Sequence, residues 1–167
     1  MRIAAIFVAS LALVALMQAG AAEVWKTPVP DTCPVTRSAP ETRFTPPPPH
    51  EAAKPGDPMF WFGSDALYVF LTADGRWRGI TSPTGTRNKS FWYRKDAKWL
   101  NEYPYQLKVT AKRIDADGPM IAFPRVTNAI MGEEVAMLLM LELPERGCWQ
   151  VTGNYKGDYL AWVTWVD

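Results

Sequence analysis

From Met59 onward the chain never sustains an apolar period of 3.6 residues through three helical turns, and this most restricts what it can fold into. Short runs alternate apolar and polar instead, and each is closed by a turn residue. Leu67, Val69 and Leu71 alternate with Tyr68, Phe70 and Thr72. Asp74-Gly75 then marks a hairpin, since glycine adopts positive φ at little cost, and Arg76 to Ile80 is expected to return beside the first run. A polar loop is expected from Thr81 to Lys89, followed by a short strand from Ser90 to Arg94. Gln106 to Ile114 alternates again and ends near the turn Asp117-Gly118-Pro119, and Arg125 to Ile130 is a weaker strand. Val135 to Leu143 is apolar on both faces, which suits a buried central strand or a short helix; Pro144 and the surrounding strands favour the strand. Cys148 to Tyr155 and Tyr159 to Val166 read as a closing hairpin. The pattern predicts an all-β chain, a single immunoglobulin-like antiparallel β-sandwich of about seven or eight short strands.

Upstream the composition changes. Pro28, Pro30, Pro34, Pro40, Pro46 to Pro49, Pro55 and Pro58 rule out a long helix or a central strand, because proline lacks the amide donor and fixes φ. An extended leader is expected, with polyproline II over the run of four. Before it, Met1-Arg2, the apolar run Ile3 to Met17 and the small residues Ala19-Gly20-Ala21 have the three-part layout of a secretory signal peptide. The expected division is a signal peptide over 1–21, a proline-rich leader over 22–58 and a β-sandwich domain over 59–167. The protein is then exported, periplasmic or secreted, and begins at Ala22 or Glu23. No other apolar stretch is long enough to span a bilayer, so no stable membrane insertion is expected after cleavage.

Lys plus Arg number 18 against 17 Asp plus Glu, a balance without the basic excess that nucleic acid or an anionic membrane demands. An oxidising compartment and a cysteine count of two predict one disulfide, Cys33–Cys148.

Four stretches carry a resemblance: Trp61-Phe62-Gly63-Ser64-Asp65-Ala66-Leu67, Asp74-Gly75-Arg76-Trp77, Lys89-Ser90-Phe91-Trp92, and Gly147-Cys148-Trp149-Gln150-Val151-Thr152-Gly153-Asn154-Tyr155. They resemble landmarks of a group of small exported bacterial proteins of unknown function, over the region from about Cys33 to the end of the sequence. The resemblance implies an export signal and a β-sandwich. It brings no activity, cofactor or catalytic residue.

Catalytic and metal chemistry find little footing. His50 is the one histidine and lies in the proline-rich stretch, so a nucleophile has no evident base. Asp115-Ala116-Asp117-Gly118 lacks the downstream glutamate of a calcium loop, and Met131, Met137 and Met140 lack nearby histidines for copper. No catalytic residue, metal ligand or cofactor is assigned. A carboxylate pair drawn from Asp65, Glu102, Asp115, Glu133, Glu134 and Glu142 stays open as an alternative. The outlying feature is tryptophan, with eight in the sequence. One core cannot comfortably bury that many indoles, so some should be exposed. Trp77, Trp92 and Trp99, around the polar segments between Arg76 and Asn101, are the expected ligand-binding surface, and Trp149 is expected to pack beside the disulfide. The expectation is a non-enzymatic recognition domain for a protein or a carbohydrate. The alternatives are a small carboxylate-dependent hydrolase and an assembly subunit that pairs through a sheet edge.

Overall fold

The computed structural model describes residues 27–95, 97–131 and 134–167, so the expected signal peptide lies outside the described residues. Eleven strands and a single-turn helix make up the regular structure. They are β1 (Met59–Ser64), β2 (Leu67–Thr72), β3 (Arg76–Trp77), β4 (Ile80–Ser82), β5 (Gly85–Tyr93), α1 (Trp99–Glu102), β6 (Lys108–Arg113), β7 (Ile121–Phe123), β8 (Val126–Met131), β9 (Glu134–Leu143), β10 (Gly147–Tyr155) and β11 (Asp158–Val166). Two sheets form. The first runs β1-β2-β5-β9-β8, with β4 also paired to β5; the second runs β3-β11-β10-β6-β7.

The all-β reading therefore holds, and the strand count exceeds the seven or eight expected. The surplus includes β3, β4 and β7, each of two or three residues and too short to show an alternation in the sequence. The expected loop from Thr81 to Lys89 is instead a hairpin between β4 and the start of β5. Its residues Thr86, Arg87, Asn88 and Lys89 are polar, so the period that marks a half-buried strand was missing there.

A second difference lies at Gly75. The segment after it does not return beside β2. Gly75 has φ +75°, and the chain crosses there to the second sheet, where β3 runs parallel to β11 with Arg76 opposite Trp165. The sandwich is therefore not antiparallel throughout. Thr164 Oγ1 and the Trp165 amide both donate to the Gly75 carbonyl, at 2.9 and 3.0 Å, and hold the crossing. Arg76, itself buried, donates through Nη1 to both Asp167 carboxylate oxygens at 2.5 and 2.7 Å and through Nη2 to the Thr27 carbonyl.

Between the sheets, Phe60, Leu67, Val69, Trp92, Met137, Leu139 and Leu141 of the first meet Val109, Ala111, Trp149, Val151, Tyr155, Trp162 and Val166 of the second. The run Val135 to Leu143 is a strand, as expected, paired on both sides by β5 and β8. The last hairpin also forms, and Lys156 and Gly157 both take positive φ (55° and 93°) at its turn, the backbone twist that two-residue hairpins favour.

Residues 27–58 contain no strand or helix. They wrap the sandwich from one outer face to the other. Cys33 is bonded to Cys148 with their Cα atoms 5.6 Å apart, and both cysteines pack with Trp165 on the outside of the second sheet. The Thr36 amide then donates to Val163 on β11 at 2.9 Å, the Ser38 amide to Ala73 at 2.9 Å, and the Phe44 amide to Trp61 on β1 at 2.8 Å. On the outside of the first sheet, the His50 ring lies 4.5 Å from the ring of Trp61 and 4.7 Å from that of Tyr93. Trp61 Nε1 donates to the Glu51 carbonyl at 2.9 Å. The wrapping solves the indole surplus: two satellite clusters, one around Trp61, Tyr68 and Tyr93 and one around Trp165, bury aromatics that the central core has no room for.

Candidate functional site

One edge of β5 serves two strands. Gly85 to Arg87 pair with β4, while Trp92 and Tyr93 pair with Val69 and Tyr68 of β2. Residues 88–91 lie between these two ladders with no strand beside them on that edge, because the opposite edge of β5 belongs to β9. The gap opens a slot through the first sheet. Phe70, Leu71 and Thr72 of β2 line one side, Asn88 and Lys89 of β5 the other, and Trp162, Val163 and Thr164 of β11 also line it, as do Trp77 and Arg78. The cavity measures about 50 Å³, room for a few water-sized groups.

The rings of Trp77 and Trp162 lie 5.9 Å apart and tilted by 33°. Trp77 Nε1 donates to the Thr86 carbonyl at 3.1 Å. Trp162 Nε1 and, in the core away from the slot, Trp92 Nε1 are both buried without a hydrogen-bond partner among the described residues. Leaving such a donor unmatched costs about 1–3 kcal/mol. Phe70 is 41% exposed, and Lys89 is exposed with no carboxylate in ion-pair range among the described residues. Beside the slot, Asp74 accepts hydrogen bonds from both terminal nitrogens of Arg78. Burial pushes the Asp74 carboxyl up, but the hydrogen bond from Arg78, that from the Arg76 amide and the charge of both guanidiniums outweigh it and hold the group below the usual carboxylate range.

The structure revises the expected aromatic surface. Trp77 is only 8% exposed; it lines the slot rather than standing on a rim. Trp92 is fully buried between the sheets, so close to Gly153 that a Cβ there would come within 2.2 Å of its ring. Its position on β5, opposite Val69, points it inward with the core alternation. Trp99 opens α1, and its side chain lies outside what is described. Trp61, Trp149, Trp162 and Trp165 are buried as well. The satellite clusters beneath residues 27–58 help to bury the six tryptophans whose side chains are described.

Candidate carboxylates are dispersed. Asp65 pairs with Lys95 at 2.9 Å, Glu102 with Lys156 at 2.8 Å and with the Tyr155 hydroxyl, and Asp115 with Arg113 at 2.8 Å. Glu142 accepts from Thr84 and, at 3.4 Å, from Ser82. Glu133 lies outside the described residues, as does the side chain of Glu134. None of the four described carboxylates lines the slot. Among the described residues no cluster of three metal-ligating side chains occurs, and no helix is long and apolar enough to cross a membrane.

Phe70, Lys89 and Trp162 were missed as site residues. Alternation with Leu67, Val69 and Leu71 does turn Phe70 outward, but its place at a slot depends on which strands share the β5 edge. No family model, curated protein or solved structure matches the chain. The site must be read from its own chemistry.

Proposed function

We propose that the protein is an exported, non-enzymatic recognition domain that binds a protein partner or a carbohydrate at the slot between β2 and β5. The observation that carries this reading is the slot itself, a recess lined by Leu71, Trp77 and Trp162 that opens beside exposed Phe70 and Lys89. The disulfide is consistent with an oxidising compartment outside the cytoplasm, and the layout of residues 1–21 supports export. Recognition then uses a recessed aromatic slot in place of an exposed aromatic platform.

The test is to follow the indole resonances of the isotope-labelled, disulfide-intact protein during titration with apolar dipeptides, methyl glycosides and small organic acids. Saturable shifts of the Trp77 and Trp162 indoles with one of these probes are expected. Probes that perturb only residues remote from the slot, or none at all, overturn the reading.

A further inference from the structure

We infer that the protein forms a two-fold dimer by pairing β8 with β8 of a second copy, antiparallel and centred on Asn128, so that the first sheets of the two copies run on into one another. The slot plays no part in it. A strand that ends a sheet leaves a row of backbone donors and acceptors open to another chain. Three of the strands so placed, β3, β4 and β7, offer only two or three residues each, and Pro119 and Pro124 flank β7. β1 is longer, but its Trp61 carbonyl accepts from the Phe44 amide of the wrapping segment. β8 is six residues long and pairs with β9 alone; among the described residues no backbone hydrogen bond reaches its other edge. From Val126 to Ile130 it also lacks the charge or proline that keeps an open edge from joining another.

The two faces of β8 select the copy and its register. Val126, Asn128 and Ile130 stand opposite Leu139, Met137 and Val135 of β9, and Leu139 and Met137 belong to the core. These three therefore lie on the inner face, with Thr127 and Ala129 on the outer. Ile130 is nonetheless 62% exposed. A two-fold axis normal to the sheet joins the strands antiparallel and keeps inner face beside inner face. Centred on Asn128, it sets Val126 opposite Ile130 of the second copy, and Ile130 opposite Val126, which covers the exposed side chain with an apolar one. Thr127 then meets Ala129 on the outer face. The two Asn128 amides meet across the axis, each with a donor and an acceptor to offer the other. Arg125 falls at opposite ends of the joint ladder, whereas parallel pairing in register would set the two like charges side by side.

The test is the mass of the disulfide-intact protein by analytical ultracentrifugation from about 1 µM to about 1 mM, with amide exchange on the same samples. A rise from one chain to two is expected, with slower exchange of the β8 amides at the high end. Two double variants on the outer face probe the register: Thr127→Lys with Ala129→Lys, and Thr127→Glu with Ala129→Glu. Each sets like charges directly opposite in the ladder centred on Asn128 and should weaken the dimer about tenfold. Mixing the two sets lysine against glutamate and should give a heterodimer at least as tight as the native pair. A single-chain mass at every concentration overturns the inference, as does a dimer whose β8 exchange is unchanged by concentration. Lysine variants that dimerise like the native sequence, or a mixture that stays monomeric, overturn it as well. If neither variant folds, the mass and the exchange of the native sequence decide alone.

Discussion

Arg76 joins three distant parts of the chain through one guanidinium: Asp167, Thr27 and the β2–β3 crossing. Both it and the carboxylate it meets are largely removed from water, so truncating one leaves the other as an unpaired buried charge. Arg76→Met should therefore cost about 3–5 kcal/mol, read as a shift of the urea midpoint at unchanged slope. Gly153 makes the complementary case, because space and not charge forbids its replacement. A methyl there collides with the six-membered ring of Trp92, and Gly153→Ala should lower stability by about 1–3 kcal/mol. Glu102 gives the molecule an acid limb. Hydrogen bonds from Lys156 and Tyr155 hold its carboxyl below the usual 4.5, against the opposing effect of burial. The folded state thus binds this proton less readily than the unfolded chain, so the stabilisation is complete above about pH 4.5 and is lost as pH falls through the folded value. Denaturation midpoints collected through that window should fall for the native sequence and fall less steeply for Glu102→Gln.

Among the elements, the wrapping segment carries the clearest energetic consequence. Its disulfide spans 115 residues of sequence, and closing a loop of that length restricts the unfolded chain by about 4–5 kcal/mol in the chain-entropy account. Replacing both cysteines by serine should lower the melting temperature markedly. The three-residue crossing from β2 to β3, Ala73 to Gly75, explains what could and could not be read beforehand. β2, β9, β10 and β11 were legible because each shows its burial pattern in the residues themselves, from the alternation of Leu67 to Thr72 to the two-sided apolar run ending at Leu143. The destination of Arg76-Trp77 was not, because Asp74-Gly75 reports a reversal without saying which sheet receives the chain. The slot was illegible for the same reason: it exists where β4 and β2 leave part of β5 unclaimed, and no local pattern encodes that sharing. Of the expected ligand-binding residues whose side chains are described, Trp77 and Trp92, Trp77 reaches it, by lining it from within.

At the scale of the molecule, three apolar clusters replace the single core on which the exposure argument depended. Removal of the first 21 or 22 residues is the expected outcome of export, and intact-mass analysis of the exported protein should find Ala22 or Glu23 at its amino end; retention of Met1 would contradict it. The wrap has one further consequence. A polypeptide emerges from the ribosome, or through a membrane channel, with its amino end first. The surfaces that receive residues 33–36 belong to β10 and β11, which emerge last. The early cysteine must therefore wait, reduced and exposed to other molecules, until nearly the whole chain is out. Closure of the bond is in this sense a receipt for complete delivery, and a chain stalled before Cys148 has no partner of its own to offer.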